Sequence, residues 1–291
     1  MHHDIADLRS FYYQRALGRV VQRILRDRLV TRWQPGACTG MNVAGFGFAA
    51  PMLRPYLATA RRVTALMPGP QGVMAWPAGM PNHSVLCDET AWPLETGSVD
   101  RLVILHGLET SDDPAALLAE AWRVLGPGGR MVVMVPNRAG LWAASDRTPF
   151  GLGRSYTTGQ IETQARRAGF VPEWHGSAVY IPPSDRRFWL GSAQMWERTG
   201  MRISRVLIAG VVLIELSKQV RAPIGPDLRV HVPSPLQILD GVVGPRPARP
   251  HLEQNLHDAQ ESRGSCQANR PESVHKVNCR TAAIRPIWVS Y

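Results

Sequence analysis

Residues 99–137, VDRLVILHGLETSDDPAALLAEAWRVLGPGGRMVVMVPN, carry two different periodicities in close succession. The run LVIL at 102–105 is short and continuously apolar, which suits a strand covered on both faces. Asp113 predicts a helix cap, and Pro114 suits the first turn. Leu117, Leu118, Ala121, Trp122 and Leu125 then recur at helical spacing. Gly126-Pro127-Gly128-Gly129 stops that helix, and MVVMV at 131–135 predicts a second buried strand. A strand, a crossover helix and a strand make one βαβ unit of a parallel sheet. Ligands of such sheets bind at the carboxyl ends of the strands, so the loops after Leu105 and Val135 are the first places to look for chemistry.

A chain of 291 residues, 44% of them hydrophobic, can bury a sizeable core. Its formal charge is +10, and Lys218 and Lys276 are its only lysines among 33 basic residues. A basic balance permits contact with nucleic acid, acidic lipid or an anionic substrate, yet no concentrated basic run is present. Cys38, Cys87, Cys266 and Cys279 lack paired spacing, so no metal site is expected and reduced thiols in a cytoplasmic protein fit best. The opening MHHDIADLRS has no apolar signal core. The longest apolar run, 206–216, contains Glu215 and falls short of the ~20 residues of a membrane helix.

Residues 1–35 are expected to hold one long amphipathic helix, over 5–33. Tyr13, Leu17, Val20, Val21, Ile24 and Leu25 lie on one side of it, and Arg15, Arg19, Arg23 and Arg26 on the other. An α/β domain is expected over 36–221. Its first strand leads into Gly45-Phe46-Gly47, and a helix follows from about Pro51. Further strands are expected at 61–67, 84–87, 171–181 and 211–219, and helices from Thr158 to near Gly169 and over 185–199. The long segment 137–156 between elements predicts a functional or mobile loop. Recurrent prolines and the loss of apolar periodicity make 222–291 an expected, largely disordered tail.

Two stretches carry a resemblance to a known family. DETAWPLETGSVDRLVILHGLE and AEAWRVLGPGGRMVVMVPN resemble the corresponding motifs of class I S-adenosylmethionine-dependent methyltransferases of the small-molecule type (methyltransferase type 11-like). The resemblance covers roughly residues 40–220 and implies a Rossmann-like fold with a seven-stranded, mostly parallel sheet and helices on both faces. It implies S-adenosyl-L-methionine as cofactor. Gly45 and Gly47 would lie under its methionine part, and Met67 would end strand two beside it. Asp88, flanked by Glu89 and Thr90, would meet the adenine, and Leu105 and His106 would floor the sulfonium.

The activity implied is methyl transfer to an unknown acceptor; where that acceptor is protonated, His106, Asp146 and Tyr156 are candidate bases. Arg138, Trp142, Arg154 and Tyr156 are candidate acceptor contacts, or aromatics packed on their own domain. A nucleic-acid acceptor is not favoured, because no Asn-Pro-Pro-Tyr-like motif is present. The family's acid at the end of strand two is replaced by Leu66-Met67-Pro68, removing charge-assisted hydrogen bonds of ~1.5–3 kcal/mol each. That departure leaves a second expectation, a non-catalytic methyltransferase-like binding or scaffold protein.

Overall fold

The computed structural model describes residues 4–203 and 209–219. All of these belong to one compact unit, Met1–Ile224; the second, Gly225–Tyr291, and with it the expected tail, lies outside the described residues. Seven strands form one sheet: β1 (Asn42–Gly47), β2 (Arg62–Pro68), β3 (Ser84–Cys87), β4 (Val99–Leu105), β5 (Leu125–Pro136), β6 (Val171–Ala178) and β7 (Val211–Ser217). Their spatial order is β3-β2-β1-β4-β5-β7-β6. The first five run parallel, and β7 lies antiparallel to both of its neighbours. The chain moves outward from β1 to β3 and then returns to β4, so β1 and β4 flank the topological switch point, where such folds bind ligands.

The continuous apolar runs read from the sequence are buried on both faces. Leu102 and Ile104 pack with Leu117, Leu118 and Ala121 of α4 (Pro114–Val124), whereas Val103 and Leu105 face the amino-terminal segment. Each such side chain contributes about 1.5–3 kcal/mol of burial. Asp113 caps α4 as expected, accepting hydrogen bonds from the amides of Ala115 and Ala116. The far end of α4 is held by Lys218, whose ammonium donates to the carbonyls of Trp122 and Leu125. Gly126-Pro127-Gly128-Gly129 does not form a separate turn: the chain enters β5 directly at Leu125.

The expected single helix over 5–33 is divided. Helix α1 (Ile5–Arg9), a π turn (Ser10–Gln14) and α2 (Ala16–Arg32) replace it, with Arg15 extended between the last two. The π turn sends Phe11 and Tyr12 into the core and leaves Tyr13 38% exposed, off the apolar stripe. Gly18 permits the sharp return, because a Cβ there would stand 1.8 Å from the Phe11 carbonyl oxygen. The helix expected from Pro51 is one turn, α3 (Ala50–Leu53), followed by a 3-10 turn over Arg54–Tyr56. Helix α5 (Thr158–Arg167) begins with a capping box between Thr157 and Gln160. The helical stretch at 185–199 is two helices, α6 (Arg187–Gly191) and α7 (Ala193–Ile203).

Glu215 of β7 is fully buried and ties α2 to the sheet. Its carboxylate accepts from the Arg32 guanidinium, from the Trp33 indole at 2.9 Å and from Arg130 at 3.2 Å. Truncation leaves two guanidiniums and an indole N–H without that acceptor. The arginines reach solvent, which moderates the loss. Glu215→Ala should therefore lower unfolding stability by about 2–4 kcal/mol, read as a fall in the urea midpoint.

Candidate active site

The crevice between β1 and β4 is closed by the chain's own backbone. Leu105 is the register partner of Gly47, and the Phe48 amide donates to the Leu105 carbonyl at 2.7 Å. Gly47 has φ +75°, and a Cβ on it would lie 2.4 Å from that carbonyl oxygen. Gly45 serves a different contact, since its Cβ would meet Ala49 at 2.6 Å and Leu53 at 2.9 Å. The two glycines are thus required by close packing of β1 against β4 and α3. Gly45, Gly47, Met67, Leu105 and His106 come together at the strand ends, and all five are buried.

His106 follows β4 in a left-handed conformation, φ 52°, that a non-glycine residue adopts only under constraint. Its carbonyl accepts from the Gln71 side-chain amide at 3.1 Å and from the Thr110 hydroxyl at 3.3 Å. Its imidazole is fully buried between two partners. Nδ1 lies 2.9 Å from Glu109 Oε1, and Nε2 lies 2.7 Å from the Tyr12 hydroxyl. A carboxylate can only accept, so the network assigns the proton to Nδ1 and leaves Nε2 to accept from Tyr12. Burial, then the charge of Glu109, holds the Tyr12 phenol well above its ordinary pKa of 10.0, so it stays a donor. Phe48 stacks on Tyr12 at 5.4 Å, and Phe150 packs against His106 at 4.7 Å. Chemically this is an oriented base whose accepting nitrogen is covered by a hydroxyl of the amino-terminal segment.

The adenine-side candidates are open by contrast. Asp88 is exposed just beyond β3, and its carboxylate accepts from the Thr90 amide at 2.9 Å and the Thr90 hydroxyl at 3.0 Å. Those bonds, the backbone one foremost, hold its pKa below 3.8. Glu89 accepts from the Ser111 hydroxyl at 3.1 Å and joins this loop to the segment after β4. Behind it, Glu120 of α4 accepts from the Trp92 amide and from Arg123, and Trp92 stacks on Phe46 at 4.8 Å.

The candidate acceptor residues separate into two groups. Arg138, Arg154 and Tyr156 line one cleft of about 420 Å³, whereas Trp142 is buried with its indole donating to the Ile181 carbonyl. Tyr156 is also largely buried, and burial followed by the Glu109 charge raises its phenol pKa above 10.0. That suits a hydrogen-bond donor better than a base. Asp146 is exposed in a different cavity, of about 410 Å³, shared with Arg15 and Arg147. His106 does not line this cleft, which reaches its neighbourhood through the Arg154 amide, a donor to the Glu109 carbonyl at 2.8 Å.

S-adenosylmethionine, the cofactor that this fold implies, finds suitable groups at one end only. Asp88 is ionised and exposed where an adenine amine could donate, while Met67 supplies no acceptor for ribose hydroxyls. At the other end, Tyr12 and Phe48 occupy the space over His106 and Gly47. Among the described residues, two buried polar atoms of this region, Glu109 Oε2 and Gln71 Oε1, have no hydrogen-bond partner. As arranged, the methionine side does not accept the group.

Tyr12, Glu109 and Gln71 were absent from the sequence expectations. Glu109 stands three residues beyond His106, a local signal that was available; Tyr12 is 94 residues away and had none. Two outcomes follow. Gly47→Ala combines a left-handed backbone with a collision against the Leu105 carbonyl and should cost at least about 2 kcal/mol in chemical unfolding. Arg123, the first cause, holds the Glu120 carboxyl below its ordinary 4.5. A depressed folded pKa contributes stability that is complete above 4.5 and is lost as pH falls through the lowered value. Glu120→Gln should therefore flatten the stability-versus-pH curve in that acid window, measured by thermal unfolding at stepped pH.

A family model described as a methyltransferase domain matches residues 43–133, from β1 through most of β5. No curated protein matches the chain. A chain from the complex between the Haloferax volcanii Trm112 methyltransferase activator and a methyltransferase is similar at 17% identity, with a TM-score of 0.54 over 74% of this chain and 99% of that one. An S-adenosylmethionine-dependent methyltransferase from Mesorhizobium loti is similar at 15% identity, with a TM-score of 0.47 over 66% and 96%. Another, from Thermotoga maritima and described as a possible histamine N-methyltransferase, gives 18%, 0.48, 69% and 92%. The match covers β1 to most of β5 on a sheet of this order, so residues 43–133 are similar to a methyltransferase domain and the fold is that of the methyltransferase structures above.

Proposed function

We propose that this protein transfers a methyl group from S-adenosylmethionine to an acceptor, with the α/β domain over 36–221 carrying the activity. The observation behind this reading is the family match across 43–133, which spans the switch point and the loop holding Asp88. When bound, the cofactor supplies an already activated methyl on its sulfonium, so the chain's task is mainly positioning. In this reading Asp88 accepts from the adenine amine, with Glu89 and Thr90 fixing its loop. His106, oriented by Glu109, accepts a proton at Nε2 from the acceptor once the Tyr12 hydroxyl has left it. Arg138 and Arg154 offer fixed positive charge to an acceptor that carries an anionic group. Entry at the methionine side requires the segment 5–14 to lift from His106.

Cys38 and Cys87 are buried free thiols, which supports a reducing, cytoplasmic setting. Among the described residues no helix is long and apolar enough to cross a membrane.

Calorimetric titration of the full chain with S-adenosylhomocysteine tests this function. Binding in the micromolar range is expected, and Asp88→Ala should weaken it by about tenfold or more. Amide hydrogens of residues 5–14 should exchange faster in the bound state. An absence of binding at millimolar concentration overturns the function, and unchanged exchange at 5–14 overturns the displacement of Tyr12.

A further inference from the structure

Beside the closed crevice lies an open cavity of about 340 Å³, a volume in the range of small-molecule sites. Five parts of the chain build it: α1, the π turn, α2 through Gln22, the consecutive α3 and 3-10 turns, and the loop between β2 and β3. Its wall is apolar and aromatic, made chiefly by Tyr13, Pro51, Met74 and Trp76. Its charged groups are Arg9 and Arg54, both exposed. Among the described residues no Asp or Glu lines the cavity, and neither arginine has an ion-pair partner. None of Gly45, Gly47, Asp88, Leu105 and His106 lines it.

The walls are held in place. Successive tyrosines diverge, Tyr12 toward His106 and Tyr13 into the cavity, with Tyr13 also edge-on to Phe48 at 6.3 Å. The loop carrying Met74 and Trp76 is fastened at several points. The Trp76 amide donates to Asn82, the His83 amide to the Trp76 carbonyl, and the Ser84 hydroxyl to the Met74 carbonyl. Arg9 and Arg54 line the same cavity as Tyr13, and their guanidiniums oppose the rise, to about 12, that burial gives the Tyr13 phenol. Two like charges facing one space without a carboxylate are relieved by an anion, and guanidinium planes match carboxylate and phosphate oxygens. The apolar wall beneath them suits a flat organic body, and Met74 can adjust to its outline.

We propose that this cavity is a binding site, separate from the cofactor crevice, for a small organic anion: a carboxylate or phosphate carried on an aromatic or similarly flat body. The guanidiniums of Arg9 and Arg54 hold the anionic group, and Tyr13 and Trp76 flank the ring. The two ligand sources differ in geometry and charge at the same pair of arginines, so titration tells them apart.

The test is calorimetry on the full chain with benzoate, phenyl phosphate and, as the neutral control, phenol. At least one anion should bind about tenfold or more tightly than phenol, and the tighter of the two identifies the oxyacid. Arg9→Gln and Arg54→Gln alter exposed side chains, and their folding is checked by circular dichroism. Each should remove most of that margin while leaving phenol binding unchanged. Anions no tighter than phenol, or a margin that survives both substitutions, would overturn the proposal. Repeating the titration with S-adenosylhomocysteine present separates this site from the function proposed above. Retained anion binding supports a separate cavity, and full competition would place the cofactor there and overturn the separation. Anion binding without any S-adenosylhomocysteine binding would sink the methyltransferase reading alone.

Discussion

The contact between Gly47 and the Leu105 carbonyl sets the geometry of the whole ligand face. Without a side chain at Gly47, β1 and β4 approach until the Phe48 amide reaches that carbonyl. The chain must then turn sharply away from β4, which places His106 in the left-handed region and presents its carbonyl to Gln71. Gly107 allows the turn to continue, because a Cβ there would lie 2.6 Å from the Phe46 ring. The imidazole with its Glu109 partner follows directly on this turn, and Phe46, beside Gly47, stacks on Trp92.

The amino-terminal segment finishes this face rather than decorating it. Leu8, Phe11 and Tyr12 belong to the same apolar cluster as Val103 and Leu105, so the sheet lacks part of one layer without them. Arg15 extends the attachment outward, donating to the Arg147 carbonyl and pairing with Asp185 at 2.7 Å. A segment so attached couples three regions: the loop after β5, the segment after β6 and the buried histidine. Its polar link to His106 is a single neutral hydrogen bond, worth about 0.5–1.5 kcal/mol net. That is weak enough for a ligand to outcompete, although the aromatic packing around it must be replaced as well.

The parts legible in the sequence were those whose cause is local. The strand–helix–strand block at 99–137 could be read because Asp113, the Leu117–Ala121 stripe and the two apolar runs act within a few residues of each other. The seven-stranded, mostly parallel sheet was implied by the resemblance, whereas its spatial order is known from the structure alone. The break at Arg15 was not legible. Its cause is the burial of Phe11 and Tyr12 against Phe48 and Leu105, which a helical period cannot register. At the site, spacing could place Gly45 and Gly47 at the end of β1 but not show that packing partners occupy their open sides. Trp142 was read as either acceptor contact or core, and its burial against Phe150 places it in the core.

Among the described residues β7 is the last strand in sequence, yet it sits between β5 and β6 and carries the carboxylate that receives Arg32 and Trp33. During synthesis, every earlier strand and all of α2 leave the ribosome before that partner exists. β6 then has no neighbour in the sheet, and α2 lacks its ionic anchor until about 180 residues later. Pairing across such a separation is entropically slow and leaves strand edges open in the interval. Between the synthesis of β6 and that of β7 the slot between β5 and β6 has no strand to fill it. Residues 211–217 fill that slot and bring the Glu215 carboxylate to Arg32 and Trp33.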